Sequence, residues 1–311
     1  MIVLDSEGPA HERTETGQSG RSALKTTPGR VVADAIALLV IPTVLLAVFT
    51  LPEPTKRAAA FSYTDPTLFT AFTAHYVHLT VPHLVGNVVG FVLLASVAYG
   101  LSLLAGRRRL FFASTITFVL MFPFVLSGLN LAVPRNAIGY GFSGVNMAFF
   151  GYIAIILPVA IDERLGVAWR RHAPGHFFIS VAYIALIALP ISTVSAGVCV
   201  ASIAFALPYG REAIRTRNRD DRRARGDDRR ESLRETVRRI LARPVCGELV
   251  AVAVVVLFVY PFIGFPTVSA TGPRVNVYVH FLGYALSFLV VHLSLLADRS
   301  ETTWRDRPTT E

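Results

Sequence analysis

Long apolar stretches alternate with short polar ones along most of the chain. They cover residues 31–51, 83–105, 110–128, 143–161, 175–191, 194–209, 247–264 and 277–297. Most approach the roughly 17–25 residues that a helix needs to cross ~30 Å of hydrocarbon. Lipid offers no partner to an unpaired backbone group, so apolar segments of this length are read as helices. The pattern predicts an all-α fold: a polytopic transmembrane helical bundle of about eight spans. Segment 175–209 reads either as one broken helix or as two short ones turning near "LPIST", residues 189–193. Pro190 favours a break, because proline removes a backbone donor and clashes with the preceding turn.

Composition agrees with this class. The 311 residues are 53% hydrophobic and 16% charged, with a mean hydropathy of +0.52. That is too apolar for one soluble core and excludes a soluble nucleic-acid-binding protein. The basic residues choose the topology, because cytoplasmic loops collect Lys and Arg. With eight spans and the amino terminus inside, the segments 1–30, 106–109, 162–174, 210–246 and 298–311 hold 26 of the 30 basic residues. Only Lys56, Arg57, Arg135 and Arg274 then face outside. Seven spans would put the Arg-rich stretch 211–243 on the wrong side. The expected organisation is a polar cytoplasmic tail (1–30), a membrane domain (31–297) with an Arg-rich cytoplasmic loop (210–246), and a cytoplasmic carboxy-terminal tail (298–311).

That loop carries most of the +9 net charge, but seven acidic residues interrupt it. It reads as a solvated loop that fixes orientation rather than as a nucleic-acid site. Leu233, Val237, Ile240 and Leu241 follow helical spacing, so its second half reads as a basic amphipathic helix on the bilayer surface. The first thirty residues lack a signal peptide's apolar stretch and cleavage site, so the first span reads as an uncleaved anchor. Cys199 and Cys246 have no metal or disulfide spacing and read as packing residues. Arginine far outnumbers lysine, as in GC-rich prokaryotes, for which the plasma membrane is the expected location.

Polar residues within membrane spans usually line a cavity or pathway. Three places qualify. In "GFSG", Gly141 to Gly144, Ser143 stands where a span begins. It reads as a helix cap or packing residue, or as a nucleophile beside free backbone donors that hold an oxyanion. It is not the nucleophile elbow of soluble hydrolases, because Val145 stands where that pattern needs glycine. In "VYVHFLGYALSF", His280 lies four residues into the last span, and Gly283 and Ser287 roughly share its face. A helix approaching those small residues would lie against the histidine. In "HLVGN", the i, i+4 spacing puts His83 and Asn87 on one face, and both side chains can donate. His75, His78 and His83 lack the companions of a zinc site, so no metal is expected.

In the eight-span topology, spans two, four and eight all run from outside to inside. His83, Ser143 and His280 then share one depth, just below the outer surface. The reading is a Ser–His dyad: His280 takes the Ser143 proton, and the Ser143 N–H, Asn87 and His83 hold the oxyanion. No acidic residue lies at that depth to complete a triad.

In these residues the chain resembles the rhomboid intramembrane serine proteases. The family pattern has His-xxx-Asn on the second core helix, Gly-x-Ser-Gly on the fourth and His-xx-Gly on the last. Here these are His83/Asn87, Gly141 to Gly144, and His280/Gly283. Ala148, Gly151, Tyr152 and the loop residue His78 extend the match, which covers about 75–297. The resemblance implies a six-helix core, with 175–209 as an inserted hairpin that preserves parity. It implies hydrolysis of a peptide bond in or near a substrate's transmembrane helix, with no metal or cofactor. It also implies that the loop 52–82, rich in aromatic residues, lies partly in the outer leaflet, and that span 247–264 is the mobile helix beside the site. The chain departs from the family in lacking a first-loop Trp-Arg pair. Met147 stands where an aromatic often stacks on the histidine, and Val279 and Ser287 replace an alanine and a glycine.

Two other classes fit the composition. A catalytically inactive rhomboid-like protein would bind membrane proteins, but would not need Ser143, His280 and Asn87 together. A transporter would carry charges at mid-depth, whereas Asp34 and Glu248 both lie near the inner ends of their spans.

Overall fold

A computed structural model describes residues 27–133, 135–165, 172–223, 238, 244–265 and 276–305. The chain forms α1 (Pro28–Phe49), α2 (Glu53–Ala58), β1 (Phe61–Ser62), α3 (Leu68–Thr73), a 3-10 turn (Ala74–Tyr76) and α4 (Val81–Leu104). There follow α5 (Arg108–Leu120), α6 (Phe122–Asn130), β2 (Ile138–Gly139), α7 (Ser143–Leu165), α8 (Ala173–Ala188), α9 (Thr193–Arg223), α10 (Pro244–Gly264) and α11 (Val277–Arg305). Among the described residues the fold is a mostly helical bundle with one antiparallel pair of two-residue strands, Phe61 opposite Gly139 and Ser62 opposite Ile138.

All eight apolar segments are helical. Among the described residues, six helices are long and apolar enough to cross a membrane: α1, α4, α7, α9, α10 and α11. A seventh exists if α5 and α6, bent by 47° at Met121, count as one broken span. The expected eighth, α8, has only 16 residues. At about 1.5 Å per residue it is shorter than the ~30 Å hydrocarbon layer.

The α5/α6 bend has a local cause. Pro123 has no N–H to give the Val119 carbonyl. The Tyr76 hydroxyl donates to that carbonyl instead, at 2.6 Å. This ties the segment between α1 and α4 to the kink. The α8/α9 break is equally local. Leu189 is extended (φ −97°, ψ 142°), as a residue before proline must be, and Pro190 follows. Ser192 and Ser195 then bond reciprocally, each N–H to the other's Oγ, at 2.9 and 3.2 Å. So 175–209 is two helices packed as a hairpin.

Two expected boundaries move. Helix α9 runs to Arg223, into the stretch read as a loop from 210, and α11 runs to Arg305, past the expected end at 297. Loss of hydropathy ends a membrane segment but not a helix, because Arg, Glu and Ala continue the hydrogen-bond ladder well in water. The expected amphipathic helix around Leu233, Val237, Ile240 and Leu241, and the tail 1–26, lie outside the described residues.

The core gathers around α7, whose Val145, Ala148, Ile153, Ile156 and Val159 are fully buried. Asp34 on α1 is also buried and pairs with Arg108, while accepting from Tyr99 at 2.6 Å. This joins the start of α1 to the end of α4 and commits the Asp34 carboxylate to an ion pair.

Candidate active site

Helices α4, α7 and α11 run in the same direction. Between α4 and α7, Gly90 faces Asn146, Phe91 packs on Phe149, and Ser102 bonds Tyr152 at 2.8 Å. Between α7 and α11, Gly144 faces Val279 and Gly283, and Gly151 faces Tyr284 and Ser287. Residue numbers rise together in both pairs, so all three helices begin at one end. His83, Ser143 and His280 each stand in the first turn of their helix.

The α7/α11 crossing depends on small residues. A Cβ on Gly283 would collide with the Gly144 carbonyl oxygen and lie 3.2 Å from the Met147 Cβ. A Cβ on Gly144 would lie 2.6 Å from the Val279 Cγ1. The two backbones therefore touch where Ser143 precedes Gly144 and His280 stands one turn before Gly283.

The turn before Ser143 is built for glycine. Gly141 has φ +111°, a conformation rare for other residues, and its N–H donates to the Ala74 carbonyl at 2.9 Å. A side chain there would lie 2.5 Å from the His83 Cε1. The first bond of α7 is Asn146 N–H to Phe142 carbonyl, at 3.0 Å. The N–H groups of Ser143, Gly144 and Val145 thus have no acceptor within the helix, and the positive end of its dipole faces the same place. Ser143 is half-buried, and its hydroxyl forms no hydrogen bond with the described residues.

His280 is buried, and its Nδ1 bonds the carbonyl of Gly264, at the end of α10. A carbonyl only accepts, so Nδ1 carries the proton and Nε2 of the neutral ring keeps its lone pair. Phe265 meets the ring edge-on, with centroids 6.2 Å apart. It supplies an aromatic neighbour for the histidine, while Met147 packs against Gly264 and Gly283. Asn276 caps α11 by accepting the Val279 N–H at 3.3 Å, and donates to Asn130 Oδ1 at 3.2 Å.

His78 braces the turn. Its Nδ1–H donates to the Tyr76 carbonyl at 3.2 Å, and its Nε2 accepts the Phe142 N–H at 3.5 Å. Burial, and then the nearby His83, lower its pKa to about 4, so it holds the neutral form that this bond needs. The His83 ring packs between His78, 4.9 Å away, and Tyr140, 5.7 Å away.

Asn87 is engaged at both ends. Its Nδ2 donates to the His83 carbonyl at 3.1 Å, and its Oδ1 accepts from Asn146 Nδ2 at 3.3 Å. No hydrogen bond joins Ser143 to His280. In unliganded sites such bonds are often long, and they tighten with substrate. Among the described residues, no three metal-ligating side chains converge.

Three participants were missed by sequence reading: Asn146, Phe265 and the Gly264 carbonyl. Asn146 had a signal, as a polar amide three residues after Ser143 in an apolar span. The Gly264 carbonyl had none, since every residue carries one. No family model, curated protein or solved structure matches the chain.

Proposed function

We propose that the chain is an intramembrane serine protease of the rhomboid type, cleaving a peptide bond in or near a transmembrane segment of a membrane protein. One observation carries the reading. At the shared end of three parallel helices, Ser143 sits beside free backbone donors, and His280 has its Nδ1 proton committed to a carbonyl. A lone pair at Nε2 is what a general base needs.

The chemistry follows from these groups. Ser143 Oγ gives its proton to His280 Nε2 and attacks the scissile carbonyl carbon. The carbonyl electrons move to oxygen, and the Ser143 N–H, the Asn87 amide and His83 stabilise that charge. Collapse breaks the C–N bond, and the imidazolium gives its proton to the leaving amine. Water then repeats the sequence on the acyl-enzyme. The Gly264 carbonyl fixes the tautomer as an aspartate does in a triad, but its neutrality stabilises the imidazolium less.

In this reading α1, α4, α5/α6, α7, α10 and α11 are the six-helix core, and α8/α9 is the inserted hairpin. The site faces outward, both termini are cytoplasmic, and the protein resides in the plasma membrane. Helix α10 is the movable element beside the site.

The rival reading is an inactive rhomboid-like protein that binds membrane proteins. It draws on the unmade Ser143–His280 bond and on the commitment of the Asn87 donor to His83. Purified protein in liposomes, given a panel of single-span substrates and a fluorophosphonate probe, separates the two. Cleavage and labelling by wild type, both lost in Ser143→Ala, support the protease. If folded wild type and Ser143→Ala are equally inert, the protease reading fails and the binding protein leads.

A further inference from the structure

Asn146 is fully buried, with 1% of its surface exposed, on the face of α7 that meets α4. Its Nδ2 donates twice to one residue, to the Asn87 backbone carbonyl at 3.0 Å and to the Asn87 Oδ1 at 3.3 Å. Its own Oδ1 is buried and has no partner among the described residues. A buried amide oxygen without a donor costs stability, so an apolar span has little structural reason to keep asparagine here.

The amide orientations are chemically forced. The Asn87 backbone carbonyl only accepts, so the Asn146 amide nitrogen must face it. The His83 carbonyl likewise only accepts, so the Asn87 nitrogen must face outward along α4, toward the end where Ser143 lies. Asn146 grips the opposite, oxygen end of the Asn87 amide. Gly90, one turn beyond Asn87 would leave room for this pair: a Cβ there would lie 3.1 Å from Asn146 Nδ2.

We infer that Asn146 is a positioning residue for the oxyanion site: it pins the oxygen end of Asn87, so that the amide N–H points toward the carbonyl attacked by Ser143. This rests on the protease reading. Substrate oxygen then replaces the His83 carbonyl as acceptor while the other end of the amide stays fixed. Fixing the other end of the amide limits the reorganisation to that one exchange of acceptor.

The test is a double-variant cycle on full-length protein in liposomes, using Asn146→Leu, Asn87→Ala and the pair. The readouts are kcat and KM for a single-span substrate, the fluorophosphonate labelling rate, and Tm. Leucine removes the unpaired Asn146 oxygen but strands the Asn87 oxygen, so Tm should stay near wild type. We expect Asn146→Leu to lower kcat about 10- to 100-fold with KM little changed, the usual effect of losing a group that orients a reactive one. The pair should be no slower than Asn87→Ala alone, because Asn146 acts only through Asn87. Additive losses, a fall in Tm that accounts for the lost activity, or wild-type turnover in Asn146→Leu would each overturn the assignment. In those cases Asn87→Ala remains slow, and the protease reading stands. If wild type and Ser143→Ala are equally inert, it is the protease reading that has failed, and this inference goes with it.

Discussion

His75 with Ser127 and His280 with Ser143 are set among backbone carbonyls in opposite ways, and under the proposed function only the second can act as base and nucleophile. His75 Nε2 lies 3.1 Å from Ser127 Oγ, deep between the α3 segment and α6. The Ser127 proton is already given to the Ala71 carbonyl at 2.8 Å, so His75 must donate to Ser127. The bond therefore runs from histidine to serine, and it leaves the hydroxyl with nothing to surrender. His280 is the reverse. Its donor is spent on the Gly264 carbonyl, its acceptor nitrogen is left over, and the Ser143 hydroxyl has no carbonyl partner among the described residues. Proximity of Ser and His says little; the carbonyls around each pair decide which way a proton can move.

The largest expected effect breaks this contrast directly. Ser143→Ala or His280→Ala should abolish cleavage and fluorophosphonate labelling, by about 10⁴-fold or more. Ser127→Ala should leave the labelling rate unchanged. If Ser127→Ala abolishes labelling in a folded protein, the nucleophile has been assigned to the wrong pair.

A smaller effect concerns the helix seam. Gly283→Ala puts a methyl group into the Gly144 backbone, which a rotamer change cannot relieve. Overpacking of this kind costs about 1–3 kcal/mol. It should lower Tm and, by displacing His280 from Ser143, slow labelling about 100-fold. A variant with normal labelling would show that the seam does not set the distance between the two residues.

Ser127→Ala should show its effect in stability. It strands the His75 N–H in a buried site, a loss of about 1–3 kcal/mol, visible as a lower Tm. An unchanged Tm would mean that this pair holds nothing together.

A last effect is on pH dependence. Burial lowers both His75 and His78 from the usual 6.5 to about 4. Both are neutral above pH 6.5, folded or unfolded, so their contribution is fully present there. Below it the unfolded chain binds protons first, and stability falls as pH drops from about 6.5 toward 4. His78→Asn should flatten part of that decline in Tm. An unchanged slope would remove His78 as a source.

Much of this was readable from the chain. Hydropathy located every long helix among the described residues, because membrane length leaves few alternatives. Pro190 marked the α8/α9 break correctly, since proline's restriction on its neighbour is local. Gly283 and Ser287 marked a contact face, and α7 does lie against it. The lengths of α9 and α11 were underestimated, because hydropathy measures preference for lipid and not continuity of hydrogen bonding. The bend at Met121 went unread although Pro123 was in view: the kink depends on Tyr76, 43 residues earlier, to satisfy the Val119 carbonyl.

The sequence alone determined the class of protein, the helices and the side chains capable of chemistry. Those follow from local physics: apolar length, proline geometry and the donor and acceptor groups of each residue. The tertiary structure alone decided the direction of each proton. Backbone carbonyls at Gly264, Ala71 and His83 select the His280 tautomer, commit Ser127 and orient Asn87. Every residue carries a carbonyl, so only the fold can say which one arrives beside which side chain.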